Sequence, residues 1–208
     1  MRTVDYYLSL TSPWAYLGHG RFRQIAQRHG LEVKVKPVLL GNVFAETGGL
    51  VLAKRHPARQ RYRLVELQRW RARLGLSFHL QPRYWPFDAN LADRLVIAVE
   101  QSGGDTLSFL SRATSAVWEN QENLADEQTL LRLASDEGLD GPVLLALARS
   151  PATAQAYEQN LQHAVAADVF GSPAYVLDGE VFWGQDRLEL LEDALASGRP
   201  PFAPTPIE

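Results

Sequence analysis

Two Ser-Pro steps, Ser12-Pro13 and Ser172-Pro173, are where this 208-residue chain can do chemistry, because it contains no cysteine. Ser12 follows the apolar run Val4 to Leu10 and precedes Trp14-Ala15-Tyr16-Leu17-Gly18, so it stands where a strand turns into a helix. A hydroxyl there cannot exchange disulfides, since that reaction needs one sulfur to attack and another to resolve. It can hold a thiolate supplied from outside. A free thiol with a pKa of about 8.5 is only a few per cent ionised at neutral pH, and lowering that pKa by about two units takes about 2.7 kcal/mol. A hydrogen bond to a charged group is worth about 1.5–3 kcal/mol, and a helix N-terminus adds about 0.3–1 kcal/mol. Ser12 is therefore sufficient in magnitude. The same residues also read as a plain N-cap with proline at the first helical position. Pro173 likewise reads either as the start of an edge strand or as a cis bond that presents the backbone of Ser172 to an extended ligand.

The elements around these steps follow from periodicity. Tyr6, Leu8 and Leu10 alternate with Asp5, Tyr7 and Ser9, which predicts a strand; the helix after Pro13 runs to a glycine stop at His29-Gly30, and Leu31 to Val38 alternates again. A strand-helix-strand unit of this kind places its two strands in parallel. The centre is helical over 57–75, 91–101, 106–118, 127–138 and 143–149, with Leu64, Leu67, Trp70 and Leu74 at helical spacing in the first of these. Asp126 and Ser150-Pro151 are helix starts, and Tyr157, Leu161, Ala164 and Val165 form one apolar stripe. Val169 to Leu177 and Glu180 to Trp183, split by Asp178-Gly179, form a hairpin. A last helix over 187–196 and a loosely held tail from Gly198 complete the chain. The order β-α-β, helical block, α-β-β-α predicts an α/β fold: a thioredoxin-like sheet domain formed by residues 1–40 and 165–208, with residues 41–164 inserted as an all-helical domain.

Charge and composition narrow the function. The formal net charge of −3 gives no overall bias toward nucleic acid. Between Lys54 and Arg73, however, eight basic residues stand against the single acid Glu66; this reads as a solvated helix face with one or two members aimed at an anionic ligand. No apolar run approaches the roughly 20 residues that span a bilayer, and no leader pattern precedes the first strand. The missing cysteines fit a cytoplasmic protein. The five histidines show no metal-ligand spacing, and phosphate-cradling glycine motifs are missing, so neither a metal nor a nucleotide is expected.

Ser12-Pro13-Trp14-Ala15-Tyr16-Leu17, Leu67-Gln68-Arg69-Trp70, Val169-Phe170-Gly171-Ser172-Pro173 and Trp183-Gly184-Gln185-Asp186-Arg187-Leu188, in this order, resemble the 2-hydroxychromene-2-carboxylate isomerase family. That family is close to the kappa-class glutathione transferases and belongs to the wider DsbA-like thioredoxin group, so the resemblance implies a DsbA-type sheet domain. The resemblance spans residues 3 to 196 and implies a homodimeric isomerase of aromatic catabolism that uses glutathione or another low-molecular-weight thiol. It implies Ser12 at the sulfur, the backbone of Ser172 beside Pro173 on the cysteinyl unit, Gln185 and Asp186 on the γ-glutamyl end, and Arg59 on the glycyl carboxylate. Gly49 stands near a position where family members carry Asn, and it supplies no side chain. Arg83, Trp85 and Asn90 would form the wall against a small aromatic substrate, Trp85 by stacking and Asn90 or Arg83 by holding a carboxylate. Each also has a structural reading: Asp186 as a cap of the last helix, the other three as packing between insert and sheet. The implied reaction is thiolate addition to a conjugated double bond, rotation and elimination. Two rival readings keep the fold: a kappa-like transferase conjugating electrophiles, and a non-enzymatic peptide binder using the groove at Pro173. A nucleic-acid binder using the basic stretch is a more distant third.

Overall fold

A computed structural model describes residues 1–204. β1 (Thr3–Leu8) lies in the middle of a four-stranded sheet of order β2-β1-β3-β4. It pairs in parallel with β2 (Glu32–Pro37), Tyr6 opposite Val35, and antiparallel with β3 (Ala174–Leu177), Tyr6 opposite Tyr175. The hairpin partner β4 (Glu180–Trp183) closes the far edge across Asp178-Gly179, both in the left-handed region that the tight turn requires. The chain is thus an α/β protein with a thioredoxin-like sheet, as expected. The parallel pairing of β1 and β2 is forced by α1 (Pro13–Arg28), a 16-residue crossover that leaves the C-terminal end of β1 through Ser9 to Ser12.

The helices follow as α2 (Leu40–Thr47), α3 (Pro57–Leu74), α4 (Asn90–Gln101), α5 (Thr106–Trp118), α6 (Glu127–Asp136), α7 (Gly141–Ala148), α8 (Pro151–Ala166) and α9 (Leu188–Ser197). Asp105, Asp126, Asp140 and Ser150 each accept a backbone N–H two or three residues into the following helix, which fixes where α5 to α8 begin. Sheet and helices share one buried cluster: Tyr6, Leu8 and Tyr175 from the strands, Phe22 from α1, and Leu95, Leu110, Trp118 and Leu133 from the central helices. Leu10, in the loop after β1, belongs to the same cluster.

Three details differ from the sequence reading. α2 went unforeseen because only Val43 of its eight residues is buried and no side chain caps its start. The last helix begins at Leu188 after a 3₁₀ turn over Gln185–Arg187, and its cap position, Arg187, makes no side-chain capping bond, so Asp186 does not cap it. The tail is fastened, at least as far as Phe202. Arg199 grips the Glu180 carboxylate with both Nη atoms at 2.7 and 2.8 Å, its guanidinium covers the Phe202 ring at 4.0 Å, and the Phe202 amide donates to Glu180 at 3.0 Å. A sequence pattern cannot show an ion pair closed between residues 19 apart. The part of the expected loose tail over 205–208 lies outside the described residues.

Candidate active site

The Ser12 hydroxyl is built into the first turn of α1. Its backbone is extended, φ −89° and ψ 117°, its Oγ accepts the amide of Ala15 at 3.3 Å, and Pro13 starts the helix without needing an N–H partner. The same hydroxyl donates to the main-chain carbonyl of Ser172 at 3.1 Å. Ser172 answers with its own Oγ, which accepts the amide of Ser9 at 2.9 Å. The two Ser-Pro steps, 160 residues apart in sequence, are therefore stapled together at the N-terminus of α1. The Ser172–Pro173 peptide bond is cis, as expected for a backbone presented to a ligand, and so is Trp85–Pro86. Ser12 is 3% exposed.

This arrangement joins a hydroxyl donor, a helix N-terminus and the backbone carbonyl that precedes the cis-proline within a hydrogen bond's length. A ligand amide that takes the Ser172 carbonyl leaves the Ser12 hydroxyl without its internal acceptor and able to turn to an anion. At a helix N-terminus that anion is favoured by the fixed dipole of the turn.

The γ-glutamyl candidates sit one layer away. Gln185 is 2% exposed, and both its backbone oxygen (2.9 Å) and its side-chain oxygen accept from the Arg21 guanidinium of α1. Arg21 in turn lies over the Trp70 ring at 5.4 Å, with Arg73 at 5.7 Å from the same ring. Gln185 is thus an anchored strut, and Asp186 beside it is the exposed group, half accessible and paired with its neighbour Arg187 at 2.8 Å. The turn is pressed against α1 at Gly18: a Cβ there would stand 2.8 Å from Gln185 Cβ and 2.9 Å from the Tyr175 hydroxyl. Gly18→Ala is accordingly expected to cost about 1–3 kcal/mol of stability through overpacking and to displace the Gln185-Asp186 turn. Denaturant titration reads the first effect, and a crystal structure of the variant the second.

The remaining sequence candidates are dispersed. Arg59 is exposed on the first turns of α3. A Cβ at Gly49 would run into the Phe44 ring, so this chain has filled with an aromatic the space that a side chain at position 49 would need. Arg83 is exposed and lies over the Tyr84 ring at 5.3 Å, and Asn90 turns its side-chain amide back to Asp88 at 3.0 Å. Neither is directed to Ser12 by any hydrogen bond. Trp85 is: its indole N–H donates to the carbonyl of Thr11 at 2.9 Å, directly before Ser12, and its ring packs 6.1 Å from Trp118.

Two groups near this loop were not singled out from sequence. Arg63 of α3 lies over the Trp85 ring at 4.7 Å. Asp93 of α4 is completely buried and accepts the Tyr157 hydroxyl of α8 at 2.7 Å; burial pushes its carboxyl up to about 7, eased by Tyr157 and by the amide of Leu10. A signal for Asp93 existed: a carboxylate inside the stripe Ala92, Leu95, Val96, Val99 falls on the buried face of its helix.

A fold with a helix N-terminus facing a cis-proline strand defines a class, and the comparison with known proteins agrees. The chain belongs to the DSBA-like thioredoxin domain family, whose model matches residues 3–196. Within that group it belongs with the 2-hydroxychromene-2-carboxylate isomerases. It is 30% identical over 197 residues to the Pseudomonas putida protein of that name, covering 92% of this chain and 93% of that one. A solved structure of a 2-hydroxychromene-2-carboxylate isomerase superposes with a TM-score of 0.81 at 25% identity, covering 94% of this chain and 95% of that chain. Human glutathione S-transferase kappa 1 is 24% identical over 210 residues, covering 93% and 91%.

Proposed function

We propose that the protein is a glutathione-dependent cis-trans isomerase acting on a small, conjugated aromatic acid of the hydroxybenzylidenepyruvate type. The observation that carries the reading is the Ser12 hydroxyl at the start of α1, 3.1 Å from the Ser172 carbonyl, in a chain without any sulfur nucleophile of its own. Names of relatives support it: two classes of them, the isomerases and a glutathione transferase, match this chain over more than nine-tenths of its length. The residues present fit the tripeptide thiol, because the Ser172 carbonyl is the natural acceptor for its cysteinyl amide and Ser12 the donor for its sulfur.

When bound, glutathione supplies a nucleophilic sulfur that adds reversibly to a conjugated double bond and so turns it into a rotatable single bond. The residues of this chain do the rest. Ser12 donates its hydroxyl proton as a hydrogen bond toward the sulfur position and keeps that position anionic, while the first amides of α1 add their dipole. Ser172 fixes the peptide register through its main chain. Asp186, exposed beside the anchored Gln185, takes the α-ammonium of the γ-glutamyl end. The Trp85 indole closes the site on the side of Thr11 and keeps bulk water from the loop.

The reading is tested by calorimetry. Glutathione should bind the wild-type protein, and Asp186→Asn should weaken binding about tenfold, the loss of one charge-assisted contact of about 1.5 kcal/mol. Binding of extended peptides with no binding of glutathione would replace the reading with that of a peptide-binding protein. If glutathione binds and stays attached to the product, the protein conjugates instead of isomerising.

A further inference from the structure

The Arg63 guanidinium has no counter-charge. Glu66, one turn along α3, pairs with Arg69 instead, and among the described residues no carboxylate reaches Arg63. Its Nη2 is shielded from solvent and makes no hydrogen bond. One of its close charged neighbours is another cation, Arg55, which donates to the carbonyl of Leu50 at 2.8 Å and lies over Phe44. Desolvation and the Arg55 charge together push the Arg63 guanidinium down to about 10. A cation shielded from water, beside a like charge and with a donor unused, is expensive for a protein to keep. Cation–π attraction to Trp85, about 1–2 kcal/mol, offsets only part of that cost. An anion would remove the rest.

We infer that Arg63, placed over the Trp85 indole, is a carboxylate-binding site for a ligand seated beside Ser12. The geometry favours a carboxylate. A guanidinium offers a fork of paired N–H donors that match a planar carboxylate, and the Nη2 of Arg63 has no acceptor. The platform is itself fixed, because the indole N–H is tied to the Thr11 carbonyl one residue before Ser12. A carboxylate on Arg63 therefore sits next to the loop that carries the proposed sulfur position; its relevance to turnover rests on the function proposed above, but the site does not. The assignment also moves a role to Arg63: the substrate-carboxylate contact that resemblance gave to Arg83 or Asn90, which rest on Tyr84 and Asp88, or the glycyl contact that it gave to Arg59. The carboxylate has two sources, the aromatic substrate or the glycyl end of the thiol.

The test is equilibrium titration of the full-length protein with and without Arg63→Met, using thiol-free probes. Cinnamate and neutral cinnamamide report the aromatic source; S-methylglutathione and its glycyl monoethyl ester report the thiol source. If the substrate supplies the carboxylate, Arg63→Met lowers cinnamate affinity at least tenfold and leaves cinnamamide unchanged. If the thiol supplies it, Arg63→Met lowers S-methylglutathione affinity at least tenfold and leaves the ester unchanged. The proposal is overturned if both carboxylates bind the folded variant as they bind wild type, or if wild type binds neither. Should the methionine variant not fold, Arg63→Lys replaces it; losing the fork is then expected to cost several-fold on the same probe, and unchanged affinity overturns the proposal. Cinnamate binding that depends on Arg63 and survives Ser12→Ala, without any glutathione binding, would sustain this site while removing the thiol reading.

Discussion

Ser12→Ala is expected to lower kcat/KM of glutathione-dependent isomerisation by roughly ten- to 150-fold, the equivalent of losing a hydrogen bond to a charged group worth about 1.5–3 kcal/mol. The fold should persist. Removing the Oγ takes away the cap on Ala15, at about 0.5–2 kcal/mol, and leaves the Ser172 carbonyl without its internal donor, but the loop after β1 remains joined to the segment before β3 through the Ser9 amide and the Ser172 hydroxyl. The variant also separates the two roles of Ser12. A cap alone would move the denaturation midpoint and leave the ionisation of bound thiol where it was. A thiolate donor moves the acidic limb of the pH–rate profile upward, because the sulfur ionises later. Turnover equal to wild type, with the same profile, would take Ser12 out of the chemistry.

Asp93→Asn is expected to stabilise the protein above pH 7 and to do little near pH 4. The Asp93 carboxyl is pushed up from 3.8 to about 7 by burial, so between those pH values the folded protein holds a proton that the unfolded chain has released. Wild-type stability therefore falls as pH rises from about 4 to about 7, and the full penalty, on the order of 4 kcal/mol, is present above that. Asparagine keeps an oxygen for the Tyr157 hydroxyl and cannot ionise. The gain should be a few kcal/mol at pH 8 in urea denaturation and should shrink toward zero at pH 4. A pH-independent difference between variant and wild type would show that the carboxyl ionises normally. The Leu10 amide faces Asp93 and Leu10 is two residues from Ser12, so activity of the variant also reports whether the site loop stays in place.

Much of the fold was legible because its signals are local. Alternation in Val4 to Leu10 and Leu31 to Val38, the Asp178-Gly179 turn and the capping residues Asp126 and Ser150 each act within a few residues, and β1, β2, the turn and the starts of α6 and α8 fall at those places. The site was legible in part for the same reason: Ser12-Pro13 is a helix start in any context. α2 was not, since eight residues with one buried side chain carry almost no periodic signal. The fastened segment from Arg199 to Phe202 was not, since its anchor, Glu180, lies on another strand.

The residue types and their local order determined by themselves that this chain folds as a thioredoxin-like sheet with helices between its halves, and that a hydroxyl rather than a sulfur stands at the first helix. Periodicity and capping decide such things over spans of a turn or a strand. Only the tertiary structure decided which charges are satisfied. Eight basic residues between Lys54 and Arg73 look alike in sequence, yet packing sends Arg69 to Glu66 and seats Arg63 unpaired on an indole bonded to Thr11. Desolvation and pairing depend on what the fold brings from α3, the loop at Trp85 and the end of β1 to one place, and no spacing along the chain encodes that meeting.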